Sequence, residues 1–168
     1  QNDTGILASF FAAIPEEEKG FIKGDLGTAY ADDWASSKLG NAIIAVDADT
    51  RVAGFAGIVP GVGLANHVGE LRLIVDPHRR GNGVGRALAQ ESLIHAVKDM
   101  ALGKLFVEVV ADQDRTIGMF RGLGFVAEAL LRDHLCDRRG HLRDVVTLSH
   151  FVQENWQHLQ TLGLTEQL

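Results

Sequence analysis

Cysteine, tyrosine and proline are scarce in this sequence. Its 168 residues include one cysteine, one tyrosine and three prolines. Because Cys136 has no second cysteine to pair with, no internal disulfide can form, and a metal site would have to use histidine and carboxylate ligands. The seven histidines show no His-x-x-x-His spacing. We therefore expect no metal centre and a reducing, cytoplasmic setting.

Long hydrophobic runs and an excess of positive charge are also absent. No segment approaches the roughly 20 apolar residues of a membrane span, and no signal-peptide pattern opens the chain. Lysine and arginine total 16 against 22 aspartates and glutamates, for a formal net charge of -6. Because the basic residues form no long run, we expect neither a membrane nor a nucleic-acid partner.

The size and apolar content predict one domain over residues 1–168, with 46% hydrophobic residues to build its core. Helical spacing dominates the beginning of the chain. One apolar set that ends before Pro15 predicts a first helix. A second helix is expected to start after Pro15, with residues 16–18 in its first turn, and Tyr30 and Trp34 predict a third. The first set consists of Ile6, Leu7, Phe10, Phe11 and Ile14.

Six runs rich in β-forming residues follow. Turn compositions at 47–50 and 137–140 predict two hairpins. Helices are expected over 112–123 and over 151–162, and a long helix after residue 83 joins two strands into a β-α-β unit with parallel strands. The six strand runs are 41–46, 51–59, 68–75, 104–111, 127–136 and 142–149.

The long helix shows apolar residues at seven-residue intervals, at Ala87, Ile94 and Ala101. This spacing predicts that they form the buried face, with Leu93, Val97 and Met100 beside them. The opposite, solvent-facing side would then carry Glu91, Ser92, His95, Lys98 and Asp99. Gly103 is expected to end the helix.

The turn before this helix, residues 79–86, is the most informative stretch. Its glycines leave the backbone accessible, so several N–H groups can converge on one anion at the helix start, where the helix dipole adds positive charge. A phosphate or pyrophosphate is the expected ligand; the alternative is a flexible surface turn with solvated arginines. The residues concerned are Gly81, Gly83 and Gly85, with Arg79, Arg80 and Arg86.

Two known phosphate loops fit this turn poorly. A mononucleotide P-loop requires a Gly-Lys-Ser/Thr ending, but Gly85 is followed by Arg86 and Ala87. A dinucleotide fingerprint requires a glycine at its sixth position, where Arg86 stands. A nucleotide-binding α/β protein therefore stays a weak alternative.

The turn instead resembles the acyl-CoA loop of the GCN5-related N-acetyltransferase (GNAT) superfamily, whose pattern is Gln/Arg-x-x-Gly-x-Gly/Ala at a helix start after the family's fourth strand. Arg80, Gly83 and Gly85 hold its three fixed places. The resemblance implies an enzyme that transfers an acetyl group from acetyl-CoA directly to an amine. It also implies that one segment binds the pyrophosphate, namely Arg80, Gly81, Asn82, Gly83, Val84, Gly85 and Arg86.

The resemblance further implies an α/β (α+β) fold with a central mixed, twisted sheet of about six to seven strands flanked by helices. The family's first strand is followed by an aspartate, which Asp3 resembles, but no strand pattern precedes Asp3; either that strand is missing from this sequence or the fold begins differently. The family's fourth and fifth strands separate at their C-terminal ends and hold the pantetheine arm of CoA. Here that would place Leu73, Ile74 and Val75 against the cofactor.

Glu70 is the first candidate for the base that deprotonates the acceptor amine, because it lies near the position of a catalytic glutamate in many GNAT enzymes. The alternative is a solvated glutamate, since a register slip of one residue turns the side chain to the other face. His67 is the second candidate, because imidazole titrates near neutrality. Cys136 as an acyl-carrying nucleophile is the weaker hypothesis, against an inert thiol.

Phe120 departs from the family pattern, which has a tyrosine before Gly124-Phe125 that is proposed to protonate the leaving thiolate. A phenylalanine has no proton to give. Water or another side chain could act instead, Tyr30 could reach the site, or the domain could be a non-catalytic acyl-CoA-binding or regulatory module. Asp114 stands near the family's asparagine, and it or Asp112 could contact the cofactor or cap a helix.

The acceptor is expected to be a small-molecule or peptide amine, which the sequence does not identify. The resemblance also makes a homodimer an expectation.

Overall fold

The computed structural model describes residues 3–19, 22–137 and 139–152. These residues form a six-stranded sheet with five α-helices. The helices are α1 (Asp3–Ala13), α2 (Glu16–Lys19), α3 (Thr28–Ala35), α4 (Val84–Lys98) and α5 (Asp114–Arg121). The strands are β1 (Asn41–Val46), β2 (Val52–Pro60), β3 (Val68–Val75), β4 (Lys104–Val110), β5 (Val126–Cys136) and β6 (Leu142–Phe151).

The sheet is mixed, with strand order β1-β2-β3-β4-β6-β5. All neighbouring pairs are antiparallel except β3 and β4, which are parallel and joined by α4. The predicted α/β class, both hairpins and the β-α-β unit are therefore confirmed. Phe151 ends β6, and most of the tail for which a helix was predicted lies outside the described residues. No described helix combines the length and apolarity that crossing a bilayer requires.

Two hydrophobic cores lie on opposite faces of the sheet. The larger one packs α4 and α5 against residues such as Leu71 and Leu105. The smaller one packs α1 and α3 against the other face, where Phe11 and Trp34 contact Phe55 with ring centroids 5.2 Å apart in each pair. Because β2 lies under both layers, its residues from Ala53 to Ile58 are all buried. The alternation of faces along β3 and β4 decides which side chains reach each layer.

The predicted face of α4 is partly right: Leu93 is buried and Glu91 and Lys98 are exposed as predicted, but Ala87 and Ser92 lie on the sides opposite to those predicted. Its buried residues are Leu88, Ala89, Ser92, Leu93 and Ala96, whereas Ala87 is exposed. The seven-residue spacing that begins at Ala87 assigned as buried a face of the helix that is partly turned away from the sheet. Ser92 is tolerated in the core because its hydroxyl donates to the Leu88 carbonyl at 2.7 Å.

The predicted end of α4 is also wrong. The helix stops at Lys98 instead of continuing to Gly103, and the chain turns through a positive φ of 51° at Ala101. Gly103 donates its N–H to the His67 carbonyl and lies directly before β4.

Gly57 lies directly beneath the indole ring of Trp34. A Cβ atom built at Gly57 would come within 2.4 Å of that ring. This close approach allows α3 to pack against β2.

Gly57→Ala should therefore lower the free energy of unfolding by about 1 to 3 kcal/mol, because the added methyl group overpacks a rigid aromatic contact. Gly118→Ala is the matched control. Gly118 is exposed within α5 with no atom near its added Cβ, so alanine should change stability by at most about 1 kcal/mol and in the stabilising direction. Urea unfolding of both variants tests this, and equal effects would contradict the packing account.

Candidate active site

The parallel strands β3 and β4 separate soon after they begin. Their register pairs Val68 with Lys104 and ends at Glu70 with Phe106. Beyond that point β3 continues to Val75, still paired along its other edge with β2, and β4 continues to Val110. The edge of β3 that faces β4 therefore has no ladder partner over 71–75 in the described sheet, and its polar backbone groups are available to a ligand. The predicted separation of these strands is confirmed.

The glycine-rich turn leads from β3 into α4. Gly81 and Gly83 have φ angles of 79° and 83°, a left-handed conformation that favours glycine. A Cβ atom at either position would meet nothing within 4 Å, so the space outside the turn is open. Gly85 serves a different purpose, since a Cβ there would lie 3.3 Å from the Val75 side chain. Its small size lets α4 pack closely on β3.

The N-terminus of α4 offers unpaired backbone donors. Gly83 is the residue that precedes the helix, and it has no side chain to cap it. The first helical bond described runs from the Ala87 N–H to the Gly83 carbonyl. The amides of Val84, Gly85 and Arg86 therefore have no acceptor within the helix and carry the positive end of its dipole.

The three arginines of the turn differ in their partners. Arg79 pairs with Asp47 at 2.5 Å. Arg80 forms an ion pair with Glu18 of α2 and donates to the Val75 carbonyl at 3.3 Å. Arg86 donates to the Gly122 carbonyl at 3.5 Å and has no carboxylate partner among the described residues. Arg86 is thus the arginine whose charge is least compensated.

Two glutamates lie where β3 and β4 separate. Glu70 occupies the last paired position of β3, and Glu108 lies two residues beyond the last paired position of β4. Their side chains are 15% and 18% exposed. The Lys23 ammonium lies between them, with Nζ 2.7 Å from Glu70 Oε1 and 2.8 Å from Glu108 Oε2.

Further polar groups surround this pair. The Arg72 guanidinium is 3.2 Å from Glu70 Oε2 and 3.4 Å from the Tyr30 hydroxyl. Tyr30 in turn donates to the Lys23 carbonyl at 3.0 Å, which fixes the loop that carries Lys23. His134 Nε2 lies 4.0 Å from Glu108 Oε2. The result is a connected cluster of acidic and basic groups on the face of the sheet that α1 and α3 cover.

The pKa of Lys23 is raised by this surrounding. Burial lowers it, but hydrogen bonds and charge attraction from Glu108 and Glu70 together outweigh burial. The two carboxylates therefore favour an ammonium ion at this position.

Not all of the predicted site residues lie near the point where β3 and β4 separate. His67 is exposed and precedes β3, at the paired end of the two strands, where its carbonyl accepts from Gly103 and Lys104. Asp114 begins α5 and is exposed, with Gln113 as the capping residue, and Asp112 pairs with Arg143. The structure thus brings Glu70, but not His67, beside the separation of the strands.

Phe120 lies in the larger core. It is 1% exposed, and its ring contacts Phe125 at a centroid distance of 5.0 Å. Along β3, Leu73 and Val75 lie near the start of α4, whereas Ile74 packs into the smaller core. Cys136 is exposed, and its nearest hydrogen-bond acceptor is the Asp137 carbonyl.

Sequence reasoning missed Lys23, Arg72, Glu108 and His134 as members of the cluster. Arg72 and Glu108 had a detectable signal, because each is a charged residue between two apolar neighbours within a strand. Such a charge must find a partner or water. Lys23 had none, since it lies in an irregular connection between α2 and α3.

The model of the Acetyltransferase (GNAT) family matches residues 9–125. A mycothiol acetyltransferase of Paenarthrobacter aurescens is 28% identical over 113 residues, which are 66% of this chain and 34% of the relative. The chain spans only about a third of the length of the curated relatives it matches.

Solved structures share the fold at low identity. A mutant form of the spermidine N-acetyltransferase SpeG from Vibrio cholerae superposes with a TM-score of 0.72 at 16% identity, covering 88% of this chain and 90% of that one. The ribosomal-protein-alanine N-acetyltransferase of Brucella melitensis also gives 0.72 at 19% identity, covering 88% and 95%. At these identities the likeness establishes the fold alone.

Lys23→Met should lower the free energy of unfolding by at most about 1 kcal/mol near neutral pH, since partly exposed ion pairs contribute little. Because the folded-state pKa of Lys23 lies above its ordinary 10.5, the stabilisation is complete below 10.5 and is lost as pH rises through the folded-state pKa. The difference from the wild type should therefore shrink at alkaline pH. Lys38→Met, which removes a more exposed ammonium 3.3 Å from Asp33, is the control for urea unfolding at each pH. A gap that widens with pH would contradict this assignment.

Proposed function

Because the chain belongs to the Acetyltransferase (GNAT) family, we propose that it transfers an acetyl group from acetyl-CoA directly to a primary amine. The observation that carries the proposal is the position of Glu70. It lies at the last paired residue of two separating strands, with an ammonium already within hydrogen-bond distance of its carboxylate.

The residues around the turn fit acetyl-CoA. The free amides that begin α4 and the Arg86 guanidinium suit a pyrophosphate, and the open space outside Gly81 and Gly83 leaves room for it. The edge of β3 over 71–75 that has no ladder partner suits the amide groups of the pantetheine arm. Arg80 would bind the pyrophosphate once it releases Glu18. Asn82 lies between Gly81 and Gly83, the two glycines with left-handed backbone. Acetyl-CoA supplies an acetyl group activated as a thioester.

Glu70 is assigned as the base. An alkyl amine with a pKa of about 10.4 is protonated near neutral pH, and exposing its lone pair costs roughly 4 to 5 kcal/mol. A carboxylate that first binds the ammonium and then accepts its proton lowers this cost. Glu108 strengthens ammonium binding from the facing strand, and Arg72 fixes the orientation of the Glu70 carboxylate. His67 stays a weaker candidate, because it lies at the paired end of the strands.

The proton for the leaving thiolate must come from elsewhere than Phe120. A thiol has a pKa of about 8.5, so its thiolate can leave without a strong acid. Tyr30, the one tyrosine of the chain, is a possible source, since its hydroxyl lies within the cluster, 3.4 Å from Arg72. Water is the other source.

The acceptor is proposed to be a primary amine of a small molecule or peptide. Two glutamates facing each other suit a cation, and the overall charge of -6 agrees with this preference. Structural neighbours include an enzyme named for spermidine and one named for a ribosomal-protein alanine. A cytoplasmic setting and a homodimer stay predictions.

A second candidate function is a non-catalytic acyl-CoA-binding module. The observation that favours it is Phe120, whose ring is buried and has no proton to give. Thiol release with a panel of amines distinguishes the two, since a module would bind acetyl-CoA without turnover on any amine.

Glu70→Gln should lower kcat by about 10²- to 10⁴-fold, because the amide cannot accept the amine proton. The Kd of acetyl-CoA should stay within about twofold of the wild type, since Glu70 is assigned no contact with the cofactor. Thiol release and calorimetry measure the two quantities. His67→Gln is the control, and a larger loss in that variant would transfer the role to His67.

Gly83→Ala should weaken acetyl-CoA binding about tenfold or more, since alanine disfavours the left-handed turn that presents the helix amides by roughly 1 to 2 kcal/mol. Gly140→Ala is the matched control, because Gly140 has a φ of 82° and open space in the turn between β5 and β6. It should show similar strain with unchanged affinity. Equal affinity in both variants, measured by calorimetry, would exclude this turn from the cofactor site.

A further inference from the structure

Lys23 is the only lysine of the chain that reaches the separation of β3 and β4. The other four lysines, all described, lie elsewhere. Lys19 and Lys38 pair with neighbours in their own segments, Lys104 pairs with Glu128, and Lys98 is exposed at the end of α4. Lys23, in contrast, crosses from the connection between α2 and α3 to contact one glutamate on each separating strand.

The position of the Lys23 nitrogen follows from the role of its partner. A general base must lie about 2.6 to 3.2 Å from the atom whose proton it takes. Glu70, the base of the proposed function, lies 2.7 Å from Lys23 Nζ. An external acceptor that uses Glu70 Oε1 directly would place its nitrogen where Lys23 Nζ lies.

Lys23 is also held in place instead of being a freely moving surface chain. Its ammonium has two carboxylate partners, and its backbone carbonyl accepts a hydrogen bond from the Tyr30 hydroxyl at 3.0 Å. Tyr30 is buried against Trp34 and Phe11 in the smaller core. The core therefore anchors the loop whose side chain enters the site.

We propose that Lys23 is an internal acceptor of this site, which the chain acetylates on itself when no external amine displaces the Lys23 side chain. This inference rests on the proposed function. It adds a modification site and an internal competitor for the acceptor amine.

The reaction balances without a further reagent. The Lys23 ammonium gives one proton to Glu70, from which it passes to solvent, and the freed lone pair forms the new N–C bond to the acetyl group of acetyl-CoA. The C–S bond breaks, and the sulfur leaves with its electron pair. The nitrogen loses a second proton as the amide forms, and this proton converts the departing thiolate of CoA into a thiol. The product amide is neutral, so Lys23 no longer carries the positive charge that held it between Glu70 and Glu108.

Mass spectrometry of the purified chain with acetyl-CoA and no added amine tests the modification. Acetylation should accumulate on the peptide that contains Lys23 at least about tenfold faster than on those containing Lys38 or Lys98, since a positioned base contributes a factor of this size or more. The rate per molecule should not change with protein concentration, because the reaction is internal. Lys23→Arg should lose the signal while the other lysines keep theirs, and Glu70→Gln should reduce Lys23 to their level.

A second measurement needs no acetyl-CoA. Butylammonium, titrated into labelled protein and followed by NMR shifts of β3 and β4, should bind Lys23→Met about tenfold more tightly than the wild type. A tenfold difference is expected if Lys23 occupies the site in about nine of ten wild-type molecules, because only the remaining tenth can bind butylammonium. Lys23→Arg keeps a cation and should bind butylammonium as weakly as the wild type.

The outcomes separate this inference from the proposed function. Turnover of external amines with Lys23 acetylated no faster than Lys38 and Lys98 would overturn the internal acceptor and leave the function intact. Equal butylammonium affinity in Lys23→Met and the wild type would overturn the competitor role. Failure of the folded chain to bind acetyl-CoA would overturn the proposed function itself.

Discussion

The early end of the pairing between β3 and β4 is the constraint on which the rest of the site depends. A parallel ladder that continued to Val75 would use the backbone groups of β3 and leave no edge for a ligand. Because the ladder stops at Glu70, the two strands diverge, and each can present a carboxylate to the gap from its own side. The turn after β3 then places the free amides of α4 beside the same opening.

Two hydrophobic layers hold this geometry. The larger core fixes α4 against β3, where Gly85 permits close packing beside Val75. The smaller core fixes α1 and α3 on the opposite face, and through Tyr30 it positions the loop that carries Lys23. The cofactor loop and the polar cluster therefore belong to different layers and meet only where the strands separate. A change in either core is expected to reach the site through one of these two contacts.

The sequence predicted the parts of the site that depend on local pattern. The glycine spacing of the turn and the run of β3 are readable from neighbouring residues, because backbone conformation and strand alternation are local properties. Glu70 was selected through the resemblance to the family, and its role stays a prediction. The burial of Phe120 and the packing face of α4 depend on what the sheet presents to them, and periodicity alone misassigned Ala87 and Ser92. Lys23 could not be found at all, since its contacts with Glu70 and Glu108 join three segments far apart in the chain.

The central claim is that acetyl-CoA lies between the separated strands with its pyrophosphate at the start of α4. Mapping backbone amide shifts by NMR during titration with acetyl-CoA tests it most directly. The account predicts saturable shifts concentrated at 71–75 and 81–86, with the turn at 137–141 unaffected. Saturable shifts elsewhere, or no shifts in a folded sample, would contradict it.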